Sequence, residues 1–431
     1  MIRTSGYIGS APFLALALAS AVVSGCSSSA PPLIVPDPSA PLGLPVPPAA
    51  SLVNTYSGVQ SPGAWTLTLD NTKNLFSYQP VTYPASPNTP VIGTIRQTHG
   101  FAALTANSGS AGYALEVMGR FAILRPGGVN TVPVLAVPET SCYQLIGRSR
   151  FQYLGIPADI NAAPLLGYGS VVASTDTTGK SWQLENMQGN IVQGPASFGA
   201  TCVNASSQAA IGFSGQQSVL NNLWANPLTI PTANTNSRIW IGPSGFFVAD
   251  QSDSTQVQPT GASVAGVIEP ASPLSTYDIF SKQYLGFIYQ EATPIGINGV
   301  PATPPLTSPV SFGQPGSGGT ELSGGDFPND DVTQTPNSDV SISLGIEDTT
   351  YNGLYLNVSI TVLDPAQNCA NYQGGGENAT SGVNAQGYDI CTFPGIAVAG
   401  NPEGKYAIFI SAYNWAARLD GAPMQISLVQ Q

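Results

Sequence analysis

The chain has 431 residues, of which 8% are charged, and its 12 Lys and Arg against 24 Asp and Glu give a net charge of −12. Soluble domains are usually about 25% charged. A chain of this sign, with no Lys/Arg cluster, repels phosphate backbones, which excludes nucleic acid as a partner. Hydrophobic residues make up 42%, enough for a core, while 47 glycines and 38 prolines oppose helix interiors and favour short strands joined by many turns.

At the N-terminus one basic residue, Arg3, precedes an apolar run from Ala11 to Val23 and then Ser24-Gly25-Cys26. The run is shorter than the roughly 20 residues a spanning helix needs, so residues 1–25 read as a cleaved secretory signal. Val23-Ser24-Gly25-Cys26 resembles the lipobox of bacterial lipoproteins. The resemblance implies acylation of Cys26 by chains of the palmitate class and cleavage just before that residue. Through Ser27 it further implies sorting to the outer membrane. A multiply acylated cysteine anchors firmly where a single chain does not. Residues 26–55 follow as a tether containing Pro31, Pro32, Pro36, Pro38, Pro41, Pro45, Pro47 and Pro48, extended at about 3.1 Å per residue.

From Tyr56 onward the apolar period is two. Trp65-Thr66-Leu67-Thr68-Leu69-Asp70 alternates, Asn71 to Asn74 is turn-like, and Leu75-Phe76-Ser77-Tyr78 returns, which predicts a hairpin. Val171–Ala173 with Trp182–Leu184, and Ile239–Ile241 with Phe246–Val248, predict two more. Later strands are expected at Val264–Ile268, Tyr284–Tyr289, Leu354–Val362, Tyr406–Ala412 and Gln425–Val429. No capped 3.6-residue apolar stripe is sustained anywhere. The fold class is therefore all-β, antiparallel meanders forming sandwich or barrel units, with a β-propeller as the alternative. A Pro/Gly-rich stretch, 293–337, separates a large part, 56–292, from a smaller C-terminal part, 338–431. The other reading makes 293–337 a long loop within a single closed unit.

Besides Cys26 there are Cys142, Cys202, Cys369 and Cys391. In an exported chain they predict disulfides, and proximity along the chain favours Cys142–Cys202 and Cys369–Cys391. No spacing is Cys-x-x-Cys, which speaks against zinc and thioredoxin-like chemistry.

Catalytic signals are sparse. His99 is the only histidine and reads as a strand-end residue, and Gly-x-Ser-x-Gly, Ser-x-x-Lys and P-loop patterns are absent. Glycosidase-type chemistry needs two facing carboxylates. Glu116, Asp250, Glu269 and Glu291, each beside an apolar strand segment, are the candidates, against the plainer role of surface acids. The densest acidic loop, Asp326, Asp330 and Asp331 with Asp339 beyond, has oxygen ligands of the kind Ca²⁺ takes but no EF-hand spacing, and reads as a solvated loop. Trp65, Trp182 and Trp240 fall on alternating strand positions suited to a core, and Trp415 lies past a strand end as a candidate surface aromatic. No metal or cofactor is assigned. The reading is a lipid-anchored envelope protein that binds a neutral glycan or an envelope protein, or plays a structural role. A carboxylate-based exported hydrolase acting on glycans is its rival.

Overall fold

The computed structural model describes residues 52–60, 63–80, 90–109, 111–128, 131, 133–138, 148–156, 168–176, 179–185, 191–197, 236–241, 245–252, 263–290, 306–313, 319–349, 351–364, 380–383, 389–412 and 424–431. The alternation that begins at Tyr56 becomes a closed antiparallel barrel. Its strands are β1 (Val53–Gln60), β2 (Gly63–Asp70), β3 (Leu75–Pro80), β4 (Val91–Thr98), β5 (Phe101–Ala106), β6 (Ala111–Val117), β7 (Phe121–Arg125) and β8 (Val134–Pro138), with β8 returning to β1. The hairpin predicted around Asn71–Asn74 is β2–β3, in register from Asp70↔Leu75.

Eight strands leave an interior just wide enough for side chains to fill. The first three strands supply large groups, Tyr56, Leu67, Leu69, Phe76 and Tyr78, and β5 to β8 mix Leu104, Leu124 and Val134 with small ones, Ala102, Ala106, Ala114, Ala122 and Ala136. Gly58 belongs to the small set by necessity, since a Cβ there would lie 2.7 Å from the Leu135 carbonyl oxygen. Trp65 packs against this core, its ring 5.6 Å from Tyr78, as its strand position predicts.

A seven-stranded sheet follows, formed by β9 (Arg148–Ile156), β10 (Tyr168–Asp176), β11 (Gly179–Glu185), β12 (Ile191–Ser197), β13 (Asn236–Ile241), β14 (Phe246–Ser252) and β15 (Ser263–Ile268). Its order is β12-β11-β10-β9-β15-β14-β13, so β9 and β15, distant in the chain, join two meanders. The hairpins expected at 171–184 and 239–248 are β10–β11 and β13–β14.

Helix α1 (Thr276–Phe280) leads into the last sheet: β16 (Tyr284–Gln290), β17 (Leu306–Phe312), β18 (Leu322–Asp326), β19 (Val340–Ser343), β20 (Leu354–Asp364), β21 (Thr380–Val383), β22 (Asp389–Gly400), β23 (Ala407–Ala412) and β24 (Met424–Gln430). Pairing of β20 with β22 closes a second eight-stranded barrel, with β21 added alongside β22. Both closed units are barrels rather than propeller blades. Strand pairing divides the chain after β15, not within 293–337. The strands β17 and β18 fall inside that stretch, and β16, on its N-terminal side, pairs with β24 at the far end of the chain. Strand β17 carries Pro309 opposite Phe287, a turn-forming residue type in the middle of a paired strand.

The second barrel is filled by Tyr284, Phe312, Ile342, Ile360, Ile408 and Ile426, among others, and is stoppered by Ile279 and Phe280 of α1. The helix starts at Ser275, whose hydroxyl accepts from the Asp278 N–H at 3.2 Å, and Tyr284 fixes it by donating its hydroxyl to the Ile279 carbonyl at 2.9 Å.

Between the closed units lies a shared apolar layer. Phe101, Phe121, Ile123 and Val137 come from outside the first barrel, Phe246, Val248 and Val267 from the sheet, and Phe287, Val398 and Phe409 from outside the second barrel. Phe121 stacks on Phe246 at 4.7 Å and meets Phe409 edge-on at 5.7 Å. Burial on both faces explains why β7 and β8 are buried along their whole lengths.

An ion pair links the two barrels beside this layer. Arg125, at the end of β7, is 1% exposed and meets Asp330 through two hydrogen bonds of 2.5 Å, with a third to the Thr307 carbonyl at 2.9 Å. Tyr113 stacks on the guanidinium at 4.9 Å and donates its hydroxyl to the Asp330 carbonyl. Asn329 and Asp330 are held at φ of 55° and 60°, backbone that side-chain-bearing residues rarely adopt, so the pair anchors a strained turn.

Candidate functional site

Residues on the inner face of β6 alternate Ala114, then Glu116, and the second of these lies at the barrel end, where the apolar filling stops. The carboxylate of Glu116 accepts from the Tyr56 hydroxyl at 2.6 Å and from the side-chain amides of Asn54 and Asn71, each at 2.9 Å. Tyr56 in turn accepts from the Gly119 N–H at 3.1 Å, and Asn71 from Gln97 at 3.0 Å. Burial, reinforced by the neighbouring Glu116 charge, pushes the Tyr56 hydroxyl far above its ordinary pKa, so it remains a donor. With both carboxylate oxygens engaged, Glu116 closes the barrel mouth.

Beside this mouth is a cleft of about 470 Å³, within the usual range for small-molecule sites. The first barrel contributes Gly100, Leu115 to Met118 and Arg120, and the second Leu285, Lys405 and Val429 to Gln431. Gly100 lies at the close approach: a Cβ there would fall 2.4 Å from Leu285 and 3.0 Å from the Gln431 amide. Lys405 donates to the Gln431 carbonyl oxygen at 2.9 Å, and Gln430 accepts from the Tyr406 N–H at 3.0 Å. Arg120 and Lys405 are thus brought to one cleft by the packing of two barrels. Neither carries a local motif that marks it.

The outer surface of β1 to β5 presents hydroxyls. Thr94 and Thr105 are exposed, Thr55, Thr66, Thr68 and Ser77 half-buried, and the Thr55 and Thr68 hydroxyls lie 3.2 Å apart. Leu75 and Ile92 stand exposed among them, at 44% and 49%, and so does Arg96, on the same side of β4 as Thr94.

The other candidates are dispersed. His99 sits at the exposed tip of the β4–β5 hairpin, with φ of 44° followed by 84° at Gly100, a two-residue turn, and its Nδ1 is 3.4 Å from the Thr98 hydroxyl. Glu269 accepts from the Asn352 N–H at 3.3 Å. Glu347, which sequence reasoning passed over, accepts from the Leu274 N–H at 2.9 Å and from the Gly353 N–H, pinning the loop that leads to α1. Asp250 pairs in register with Arg238 and Ser263, and Glu291 lies outside the described residues.

In the acidic loop, Asp330 belongs to the Arg125 pair, while Asp326 accepts from Asn337 at 2.7 Å. Asp331 accepts from the Thr333 hydroxyl at 2.7 Å, which with the Thr333 N–H holds its carboxyl below the ordinary range. Among the described residues, no three His, Cys, Asp or Glu side chains are grouped to hold a metal ion. Cys391, buried on β22, is disulfide-bonded. Cys26, Cys142, Cys202, Cys369 and Trp415 lie outside the described residues, as do the side chains of Trp182 and Trp240. No helix among the described residues is long and apolar enough to cross a membrane.

No family model matches the chain, and neither a curated protein nor a solved structure matches it.

Proposed function

We propose that this chain is an exported lipoprotein, anchored through Cys26 to the outer membrane, whose all-β part binds a neutral glycan or an envelope protein without catalysis. The observation that carries the reading is the row of threonine and serine hydroxyls on the outer face of the first barrel. Threonine and serine hydroxyls donate and accept equally, so such a face suits partners that are themselves rich in hydroxyls. The employment of Glu116, Glu269 and Glu347 in holding the backbone and barrel end together supports a scaffold over an acid–base pair.

The test has two arms. Cys26→Ser should move the protein out of the membrane fraction and remove its acyl mass, and retention of both would end the lipoprotein reading. On a glycan array, binding should change little between low and high salt and should fall when Thr94 and Thr105 are changed to valine. Turnover of a polysaccharide or ester that is lost in Glu116→Gln, Asp250→Asn, Glu269→Gln or Glu291→Gln would replace the binder with the hydrolase.

A further inference from the structure

Tyr355, on β20, lies inside the second barrel at 0% exposure, and its hydroxyl has no hydrogen-bond partner among the described residues. A donor in that position has given up water and gained nothing for it. Burial first, then the Glu347 charge and the neighbouring Tyr406, push its pKa far above the ordinary value, so it stays a donor. Burial and the same tyrosine neighbours raise Tyr284 as well, which places the hydroxyls of Tyr284, Tyr355 and Tyr406 at one end of the barrel.

That end is the one α1 closes. Ile279 and Phe280 enter the same apolar cluster as Tyr355, and the Tyr284 hydroxyl donates to the Ile279 carbonyl at 2.9 Å. The helix has five residues, too few to hold itself together in water. Its approach is tied down from outside, by the Leu274 N–H on Glu347 and the Asn352 amide on the Pro270 carbonyl, each at 2.9 Å. A barrel of eight strands can be filled by its own side chains or hold one small ligand. Here two apolar side chains on a short, tied helix occupy the end by which a ligand would enter. The groups waiting beneath them are tyrosine donors, and the Glu347 carboxylate nearby repels an anion. A neutral molecule with a hydrocarbon body and a carbonyl oxygen complements both conditions.

We propose that α1 is a displaceable plug, and that a neutral carbonyl compound takes the place of Ile279 and Phe280 with its oxygen accepting from the Tyr355 hydroxyl. Apolar burial is exchanged about evenly, the Ile279 carbonyl passes to water, and the orphaned hydroxyl gains an acceptor. Tyr284, released from Ile279, becomes a second donor to the same oxygen, which has two lone pairs. The site belongs to the second barrel and does not depend on glycan recognition at the first.

Acetophenone, whose ring matches that of Phe280, is the probe, titrated calorimetrically into the full chain carrying Cys26→Ser. The control is α-methylstyrene, which has a methylene group in place of the carbonyl oxygen. Tyr355→Phe should weaken acetophenone about tenfold and leave α-methylstyrene unchanged. The same variant should keep or raise the thermal midpoint of the ligand-free protein, since the hydroxyl it removes is unpaired. Saturating acetophenone should speed amide exchange at Ile279, Ser281 and Lys282, whose N–H groups bond within and just after α1, and leave β1 and β6 unchanged. Acetophenone affinity indifferent to Tyr355→Phe overturns the proposal, as does binding without faster exchange in α1, or no binding at all. A lowered midpoint in Tyr355→Phe overturns it too, by showing that the hydroxyl is already bonded. Because the glycan array reads the first barrel, each result stands whether or not the other holds.

Discussion

The two barrels share strand number and antiparallel closure but end differently. The first seals its mouth with polar groups, a carboxylate held by Asn54, Tyr56 and Asn71, whereas the second is stoppered by Ile279 and Phe280 of a five-residue helix. An apolar stopper gains from burial and demands nothing of its neighbours. A half-buried carboxylate keeps its charge at little cost when its oxygens are engaged, and it then rigidifies the groups that engage it. The polar mouth is also the one that borders the cleft. In both barrels large apolar side chains point inward.

The largest expected effect comes from the link between the barrels. Asp330→Ala would leave the Arg125 guanidinium, 1% exposed, without its counter-ion, and should cost about 3–5 kcal/mol. Because Asn329 and Asp330 also lose the contact that holds their strained turn, urea unfolding of the variant should split into two phases, one per barrel. Replacing both partners, Arg125→Met with Asp330→Ala, should recover part of the loss, since the buried charge goes as well. A single transition of unchanged midpoint would show that the apolar layer alone joins the barrels.

Much of this frame was legible in the chain, where one face was wet and the other dry. The β2–β3 hairpin stands out because Leu67 and Leu69 alternate with Thr66 and Thr68, and the His99-Gly100 tip lies where one apolar run ends and another starts. The strands β7 and β8 offered no alternation, because the shared layer buries their outer faces too, and a continuous apolar run has no period to read. Strand β17 was obscured by Pro309 within a Pro/Gly-rich stretch, and its place became evident only through β16 and β24, which lie far apart in sequence. Of the site, Glu116 was singled out for its setting on an apolar strand, but not its partners. Asn54, Asn71, Arg120 and Lys405 are ordinary polar residues until the chain closes, and no local pattern marks residues brought together across two barrels.

Glu116→Gln tests the polar mouth with a smaller effect. The amide keeps one acceptor oxygen but turns its NH₂ toward donors that had faced the other, leaving Asn71 or the Tyr56–Asn54 pair without an acceptor. A cost of about 1–3 kcal/mol follows from that mismatch. Hydrogen exchange should accelerate in β1 and β6 and stay unchanged in β23 and β24. Faster exchange in both barrels would mean that the mouth supports the whole unit rather than its own barrel.

The smallest effect belongs to the second barrel and depends on pH. Asp339, just before β19, packs onto the backbone at Gly325, and its Oδ1 is buried without a hydrogen-bond partner. Burial first, and the nearby Asp326 charge second, raise its pKa above that of an ordinary aspartate. A raised pKa means that the fold prefers the protonated form. Its contribution to stability is therefore present at pH values below the ordinary carboxylate range and is lost as pH rises through the raised value. Asp339→Asn removes the charge at every pH. The thermal midpoint of the variant should match the parent near pH 3 and exceed it at pH 7, the gain appearing across the acid limb between. An identical gain at both pH values would assign the effect to amide hydrogen bonding instead. A loss at pH 7 would show that the ionised carboxylate is satisfied in solution, and that the second barrel, like the first, carries an acid its structure accommodates.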